Sequence, residues 1–382
     1  MSWLVVLFWS SVVGVFYIYA GYPLLIGLFA RLFPKPVRKT PNDCTATVIM
    51  SIYNEAPRLE RKLRNLLEVK GSDRLVQILI GSDGSTDHPE VIVEQFNDPR
   101  IRLVSAPERR GKPSMLNDLM PQATGDIIIM MDVRQRLDDE AIPALLDNFS
   151  DPDIGVVSGE LVFIRSESDT SAAESIDAYW RYEKWIRDRE SRFASVPGAT
   201  GALYAIRRPL ARPIPAEAAL DDVLIPMQAI ALGYRCIFEP QAKIYDLPSQ
   251  DPSQEAIRKR RTLAGCGQIL FFKPTWIWPW GHPIWWMFGS HKIARLASPV
   301  LLMVIAASTG ALLASPFFAL MGVAQVGFYG LGLVGLRGRN GKHARSLNIP
   351  HTIGMFLAMQ ATLLKALLDA CSKRNLARWT KT

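Results

Sequence analysis

Charged positions are spread unevenly along the 382 residues. Residues 1–30 carry no charged side chain, and neither do residues 296–336, a run divided by Pro316. At ~1.5 Å rise per residue the first run reaches across a ~30 Å hydrocarbon core, and the second holds two segments of spanning length. A further apolar stretch, Ile349–Leu368, contains His351, Gln360 and Lys365 and has basic residues on both sides. A single crossing would export one of those flanks, so the stretch is read as an amphipathic helix lying in the membrane plane. The middle of the chain follows other periods. Ala46–Tyr53, Leu75–Ser82, Ile101–Ser105 and Asp126–Asp132 read as apolar strands. Helical patterns separate them, running to about Lys70, through Val91 and over Ser114–Met120. Alternating strands and helices predict the α/β class with a mostly parallel sheet. Continuously apolar strands imply that both sheet faces are covered, and ligands of such sheets sit beyond the carboxyl ends of the strands.

Composition agrees with a chain partly in lipid: 49% of residues are hydrophobic, and the formal net charge is +8. The charge sets an orientation. Arg31, Lys35, Arg38 and Lys39 follow the first run, and Arg337, Arg339, Lys342 and Arg345 follow the second, with Arg295 before it. By the positive-inside rule these ends are cytoplasmic. The start of the chain lacks the basic region and cleavage site of a secretory signal. Between the middle and the second run lie Trp276, Trp278, Trp280, Trp285 and Trp286, half of the chain's 10 Trp, interrupted by Pro279 and Pro283. Trp favours the headgroup level, so this stretch reads as an interfacial collar. The expected organisation is an N-terminal transmembrane helix (1–33), a cytoplasmic domain (40–270), the Trp-rich interfacial segment (271–294), a transmembrane hairpin (295–337) and a membrane-associated C-terminal segment (346–382). Neither the 4 Cys nor the 5 His have metal-ligand spacing, and reduced thiols are expected. Spans without internal charge make a poor transport path. The basic residues cluster at membrane edges, outside any nucleic-acid-binding motif.

Chemistry gathers where the strands end. Strand one runs into Ser51-Ile-Tyr53-Asn-Glu55, strand two into Ser82-Asp83-Gly-Ser-Thr-Asp87, and the fourth ends at Asp132. Asp-Gly-Ser-Thr-Asp also makes a good turn and helix cap. Three carboxylates at three strand ends, however, point to one crevice. Arg109-Arg-Gly-Lys112 adds cations that suit a diphosphate or a solvated basic loop. Pro197-Gly198-Ala-Thr200-Gly201 is a Gly-rich loop before the strand Ala202–Ile206. Asp221-Asp222 opens a helical stretch ended by Gly233, where the carboxylates serve either the first helical turn or a general base. Arg258-Lys-Arg-Arg261 lies on a helix approaching the membrane, its charge facing either lipid headgroups or the crevice.

Taken in order, these signals resemble a membrane-bound family 2 glycosyltransferase of GT-A fold, over about residues 46–270. The flanking segments resemble those of bacterial exopolysaccharide glycosyltransferases and, more distantly, of hyaluronan and poly-N-acetylglucosamine synthases. The resemblance implies that Tyr53 and Glu55 line the nucleotide pocket, that Asp83 reads the base, and that Lys112 and Asn117 face the phosphates and ribose. Asp132 stands where the D-x-D motif begins, Asp222 matches the general base of the E-D pair beside Asp221, and Arg258 and Arg261 match a diphosphate-holding segment. Gly198, Thr200, Gly201 and Asp221 are expected to serve either the acceptor or the loop beside it. The sequence departs from the pattern twice. The motif reads Asp132-Val-Arg134, so a cation stands in place of the second carboxylate and a Mg²⁺ or Mn²⁺ rests on Asp132 with the diphosphate, or Arg134 substitutes part of its charge. The processive Q-x-x-R-W is replaced by Arg258-Lys-Arg-Arg-Thr262, which favours addition of one or a few sugars. The implied partners are a nucleotide-sugar donor, a lipid-linked or saccharide acceptor, membrane lipids and other polysaccharide-assembly proteins, at a bacterial inner membrane. The alternative is a membrane-tethered nucleotide-sugar binding protein without transferase activity.

Overall fold

A computed structural model describes residues 2–164, 171–247, 252–337 and 349–372. The chain opens with α1 (Ser2–Phe16) and α2 (Tyr22–Leu32), joined through a π turn at Tyr17–Gly21 into one long helix. The central domain follows as β1 (Ala46–Ile52), α3 (Ala56–Glu68), β2 (Leu75–Asp83), α4 (Pro89–Phe96), β3 (Ile101–Ala106), α5 (Lys112–Leu119) and β4 (Ile127–Met131). It continues through β5 (Arg136–Leu137), α6 (Ala141–Leu146), β6 (Ile154–Phe163), α7 (Ser171–Phe193), β7 (Leu203–Arg207), α8 (Asp221–Ala231), β8 (Arg235–Asp246) and α9 (Pro252–Phe272). The sheet runs β3-β2-β1-β4-β7-β6-β8-β5. Its β3-β2-β1-β4 half is parallel, with Val48 opposite both Ile78 and Ile129. β7 runs antiparallel between β4 and β6, so the sheet as a whole is mixed.

The apolar strands explain the layering. Successive residues of a strand point to opposite faces. Ile128 and Met130 enter one core with Ile49, Tyr204 and Ile206, while Ile127, Ile129 and Met131 enter the other with Val48, Met50 and Ala205. A strand that must supply both cores has no polar face left, which is why β4 reads as a continuous apolar run.

The C-terminal part comprises α10 (Trp285–Phe288), a π turn (Gly289–Ile293), α11 (Ala294–Ala311), α12 (Pro316–Arg337) and α13 (Ile349–Cys371). Among the described residues, four helices are long and apolar enough to cross a membrane: Trp3–Leu32, Trp285–Ala311, Pro316–Arg337 and Ile349–Cys371. That is one more than the sequence was read to hold. Gln360, one of the polar residues that set α13 apart, is satisfied inside the helix bundle. It accepts from Ser298 Oγ at 2.8 Å and donates to Tyr19 Oη at 2.7 Å. Long-range partners of this kind leave no periodic trace. The Trp-rich stretch divides. Trp276 is the buried residue of a 3₁₀ turn at Pro274–Ile277, Trp280 is 88% exposed, and Trp285 already starts the next helix. Arg339, Lys342 and Arg345 lie outside the described residues.

Candidate active site

Asp132, Asp221 and Asp222 converge with Lys112 at the carboxyl edge of the sheet. Lys112 opens α5, Asp132 follows β4 directly, and the two aspartates open α8. Lys112 Nζ stands 3.2 Å from Asp132 Oδ1 and 3.3 Å from Asp221 Oδ2. Burial pulls the ammonium down, but Asp132, Asp221 and Asp222 more than offset it and hold it above its ordinary value. Burial and the adjacent Asp221 push the Asp222 carboxyl up to about 6, against the pull of Lys112 and Lys292. A carboxylate poised there is a competent proton acceptor near neutral pH.

The loop carrying Lys112 is built by Asp83. Its carboxylate is buried and accepts the backbone N–H groups of Arg110 at 2.7 Å and Gly111 at 2.8 Å. The residue expected to face the nucleotide base therefore also fixes the start of α5. Tyr53 lies under the Arg109 guanidinium, 4.0 Å from ring centroid to Cζ, and Glu55 bonds Arg58 at 2.5 Å. Asn117 commits both ends of its amide to the Ile214 backbone, donating at 2.7 Å and accepting at 3.0 Å. Arg261 comes down from α9. Burial lowers its guanidinium, while Asp221, Asp132 and Asp222 oppose that shift, so it shares the field of the three carboxylates; Arg258, one turn earlier, adds to the lowering.

The Gly-rich loop approaches the other side of Asp222. Gly198 has φ +106°, a left-handed conformation that favours glycine. Ala199 N–H donates to the Asp222 carbonyl at 2.6 Å. A Cβ on Gly201 would stand 2.8 Å from Asp222 Oδ2. Thr200 is held by its N–H to Ser158 Oγ at 2.8 Å and by its hydroxyl to the Gly159 carbonyl at 2.9 Å.

Three contributors were not evident from the sequence. Asp246, at the end of β8, pairs with Arg134 and accepts from Gln135 Nε2 at 3.1 Å. Lys62 is buried under the same segment and donates to the Gln135 carbonyl at 3.0 Å; burial pushes it down to about 7, with Asp132 opposing. Arg187 reaches Thr200 from α7. Asp246 and Lys62 act across elements distant in sequence, Arg187 acts from the preceding helix, and none belongs to a local motif.

The fit to a divalent cation follows from these contacts. Among the described residues no three His, Cys, Asp or Glu side chains are placed so as to hold a metal ion together, and Arg134 is tied to Asp246. The protein thus offers Asp132, whose side chain is 34% exposed, as a single carboxylate. Divalent cations at phosphate sites commonly take one or two carboxylates and complete their shell from phosphate and water, and Asp132 fits that mode.

The mixed sheet covered on both faces is a GT-A-like fold. Residues 47–214 match the family model Glycosyl transferase family 2. It is 24% identical over 206 residues to poly-beta-1,6-N-acetyl-D-glucosamine synthase of Staphylococcus aureus, covering 53% of this chain and 49% of that protein. It is 25% identical over 178 residues to an N-acetylglucosaminyltransferase of Rhizobium meliloti, covering 46% of this chain and 41% of the relative. The matches thus span about half the length of these relatives or less. Mannosyltransferase PcManGT from Pyrobaculum calidifontis, solved with GDP-Man and Mn²⁺, has the same fold at TM-score 0.71 and 23% identity, with 96% of this chain and 99% of that one covered.

Proposed function

We propose that the chain is an inverting glycosyltransferase that moves a sugar from a nucleotide-sugar, a UDP-sugar by preference, to a lipid-linked or saccharide acceptor at the cytoplasmic membrane face. The observation that carries this reading is the Lys112 bridge between Asp132 and Asp221, set beside an Asp222 carboxyl raised to about 6. Asp222 accepts the proton of the acceptor hydroxyl as its oxygen bonds to the anomeric carbon. The bond from that carbon to the diphosphate oxygen breaks, and the leaving nucleoside diphosphate keeps the electron pair. Lys112 and Arg261 stand in the same field and stabilise the negative charge that develops. Asp132 would hold a Mg²⁺ or Mn²⁺, which would supply additional positive charge to the diphosphate. The basic residues after the first apolar helix, Arg31, Lys35, Arg38 and Lys39, support the cytoplasmic placement. The similarity to a poly-beta-1,6-N-acetyl-D-glucosamine synthase supports work in cell-surface or exopolysaccharide assembly.

The test is release of nucleoside diphosphate by detergent-purified protein from a panel of UDP- and GDP-sugars, with Asp222→Asn in parallel. One donor should be turned over, and Asp222→Asn should lose about 10²–10⁴-fold while still binding it. Binding of a donor without turnover across many acceptors would instead identify a tethered nucleotide-sugar binding protein.

A further inference from the structure

A buried ionic cluster joins the membrane helices to the central domain. His291 lies in the π turn before α11 and is almost fully buried. Its Nδ1 is 2.8 Å from Glu190 Oε1 and its Nε2 is 2.7 Å from Glu183 Oε1. A ring facing carboxylates at both nitrogens is satisfied when both donate. Arg295 Nη1 donates to Glu183 Oε2 at 2.7 Å, and Lys292 Nζ lies 3.8 Å from Glu183 Oε1. Tyr22 Oη, from α2, donates to Glu190 Oε1 at 2.5 Å. The two π turns face each other, with Tyr17 Oη 2.7 Å from Ser290 Oγ. Burial would raise the Glu183 carboxyl, but Arg295 and His291 hold it well below the usual range. Breaking such a pair by removing one member leaves a buried charge uncompensated, so the arrangement fixes α7 tightly against both membrane-facing segments.

Glu183 and Glu190 sit on α7 at positions i and i+7, and i+4 between them is Arg187, on the same helical face. Arg187 lies over the Phe238 ring at 5.1 Å. It donates from Nη1 to Thr200 Oγ1 at 2.8 Å and from Nη2 to Ser158 Oγ at 2.6 Å. Ser158 Oγ in turn accepts the Thr200 N–H, and the residue after Thr200 is Gly201, which leaves room for the Asp222 carboxylate. A continuous path of hydrogen bonds and one helical face therefore connects His291 to the loop at Asp222.

We propose that Arg187 is a positioning residue for the transfer reaction, and that His291, by clamping α7 through Glu183 and Glu190, makes the placement of the Gly-rich loop against Asp222 depend on the docking of the membrane helices. The role in turnover rests on the function proposed above, while the clamp itself is a property of the fold. A guanidinium that bonds two hydroxyls sets direction as well as distance, because its donors lie in a fixed plane. Arg187→Lys keeps charge but loses the fork.

The experiment uses the full chain in detergent or nanodiscs, with Arg187→Lys, Arg187→Met, His291→Gln, Thr200→Val and the Arg187→Met/His291→Gln double variant. Amide hydrogen exchange is followed at Ala199, Thr200 and Leu203, and donor turnover is followed in parallel. Exchange at these amides should quicken at least tenfold in Arg187→Met and in His291→Gln, with the double variant no faster than the worse single one. Turnover kcat should fall at least tenfold with donor KM within twofold, Thr200→Val should reproduce the loss, and Arg187→Lys should recover part of it. Unchanged exchange in Arg187→Met or His291→Gln overturns the inference, as does full additivity in the double variant. If a His291 variant does not fold, Thr200→Val and Arg187→Lys decide the matter, and normal exchange and kcat in both count against the path. Quickened exchange in a protein that turns over no donor would support the clamp and overturn the proposed function.

Discussion

Gly201 and Asp222 approach so closely that a methyl group on residue 201 would stand 2.8 Å from the Asp222 Oδ2 oxygen. The glycine is the space into which the carboxylate fits. Gly201→Ala must displace either the loop or the carboxylate, and small misplacements of catalytic groups cost about 10²-fold in rate. The variant should fold, bind donor with a Kd close to that of the parent protein, and lose about 10²-fold in kcat in a nucleoside diphosphate release assay. Retention of normal kcat would show that the added methyl is accommodated without misplacing Asp222.

The pH dependence follows from the Asp222 environment. Burial and Asp221 raise its carboxyl to about 6, and a general base acts in its deprotonated form. Turnover should therefore be constant above pH 7 and fall tenfold per pH unit well below 6. A rate profile flat from pH 7 to 5 would contradict the assignment.

Lys112 acts on the same titration with known sign. Its ammonium draws the Asp222 carboxyl downward, so Lys112→Met should move the acid limb to higher pH as well as reduce kcat. It also leaves Asp132 and Asp221 without the cation that stands 3.2 Å and 3.3 Å from them. The measurement is a pH series of kcat/KM, and a limb that stays in place would show that the two groups do not communicate.

Asp83 gives a prediction on binding rather than chemistry. Asp83→Ala leaves the N–H groups of Arg110 and Gly111 without their carboxylate, and each unsatisfied buried donor costs about 1–3 kcal/mol. The loop that presents Lys112 then loosens, and donor Kd, read by calorimetry, should weaken by roughly tenfold or more. An unchanged Kd would indicate that the loop is set by something else.

Chelation tests the Asp132 reading. EDTA should reduce turnover, Mn²⁺ or Mg²⁺ should restore it, and Asp132→Ala should abolish the response to metal. Arg134→Ala should leave the response in place, because Arg134 is engaged with Asp246. A metal response that vanishes with Arg134 instead would relocate the cation.

The α/β class, the strands β1 to β4 and the residues at their ends were legible in the sequence because each is encoded locally. A short run of consecutive or near-consecutive apolar residues makes a doubly covered strand. The long apolar helices Trp3–Leu32 and Pro316–Arg337 were equally legible, since length and the scarcity of charge mark them as able to cross a membrane. What the tertiary structure alone decided is pairing across distance. β7 enters the sheet antiparallel between β4 and β6, a choice that no strand pattern records. Asp246 finds Arg134, Gln360 finds Tyr19 and Ser298, and His291 finds Glu183 and Glu190, each across more than 60 residues. A charged or polar side chain in a helix reads as exposed until its partner is known, because one sequence window contains one half of the pair. Local periodicity reports which face of an element is apolar; only the packed fold determines what a buried polar group on that face meets.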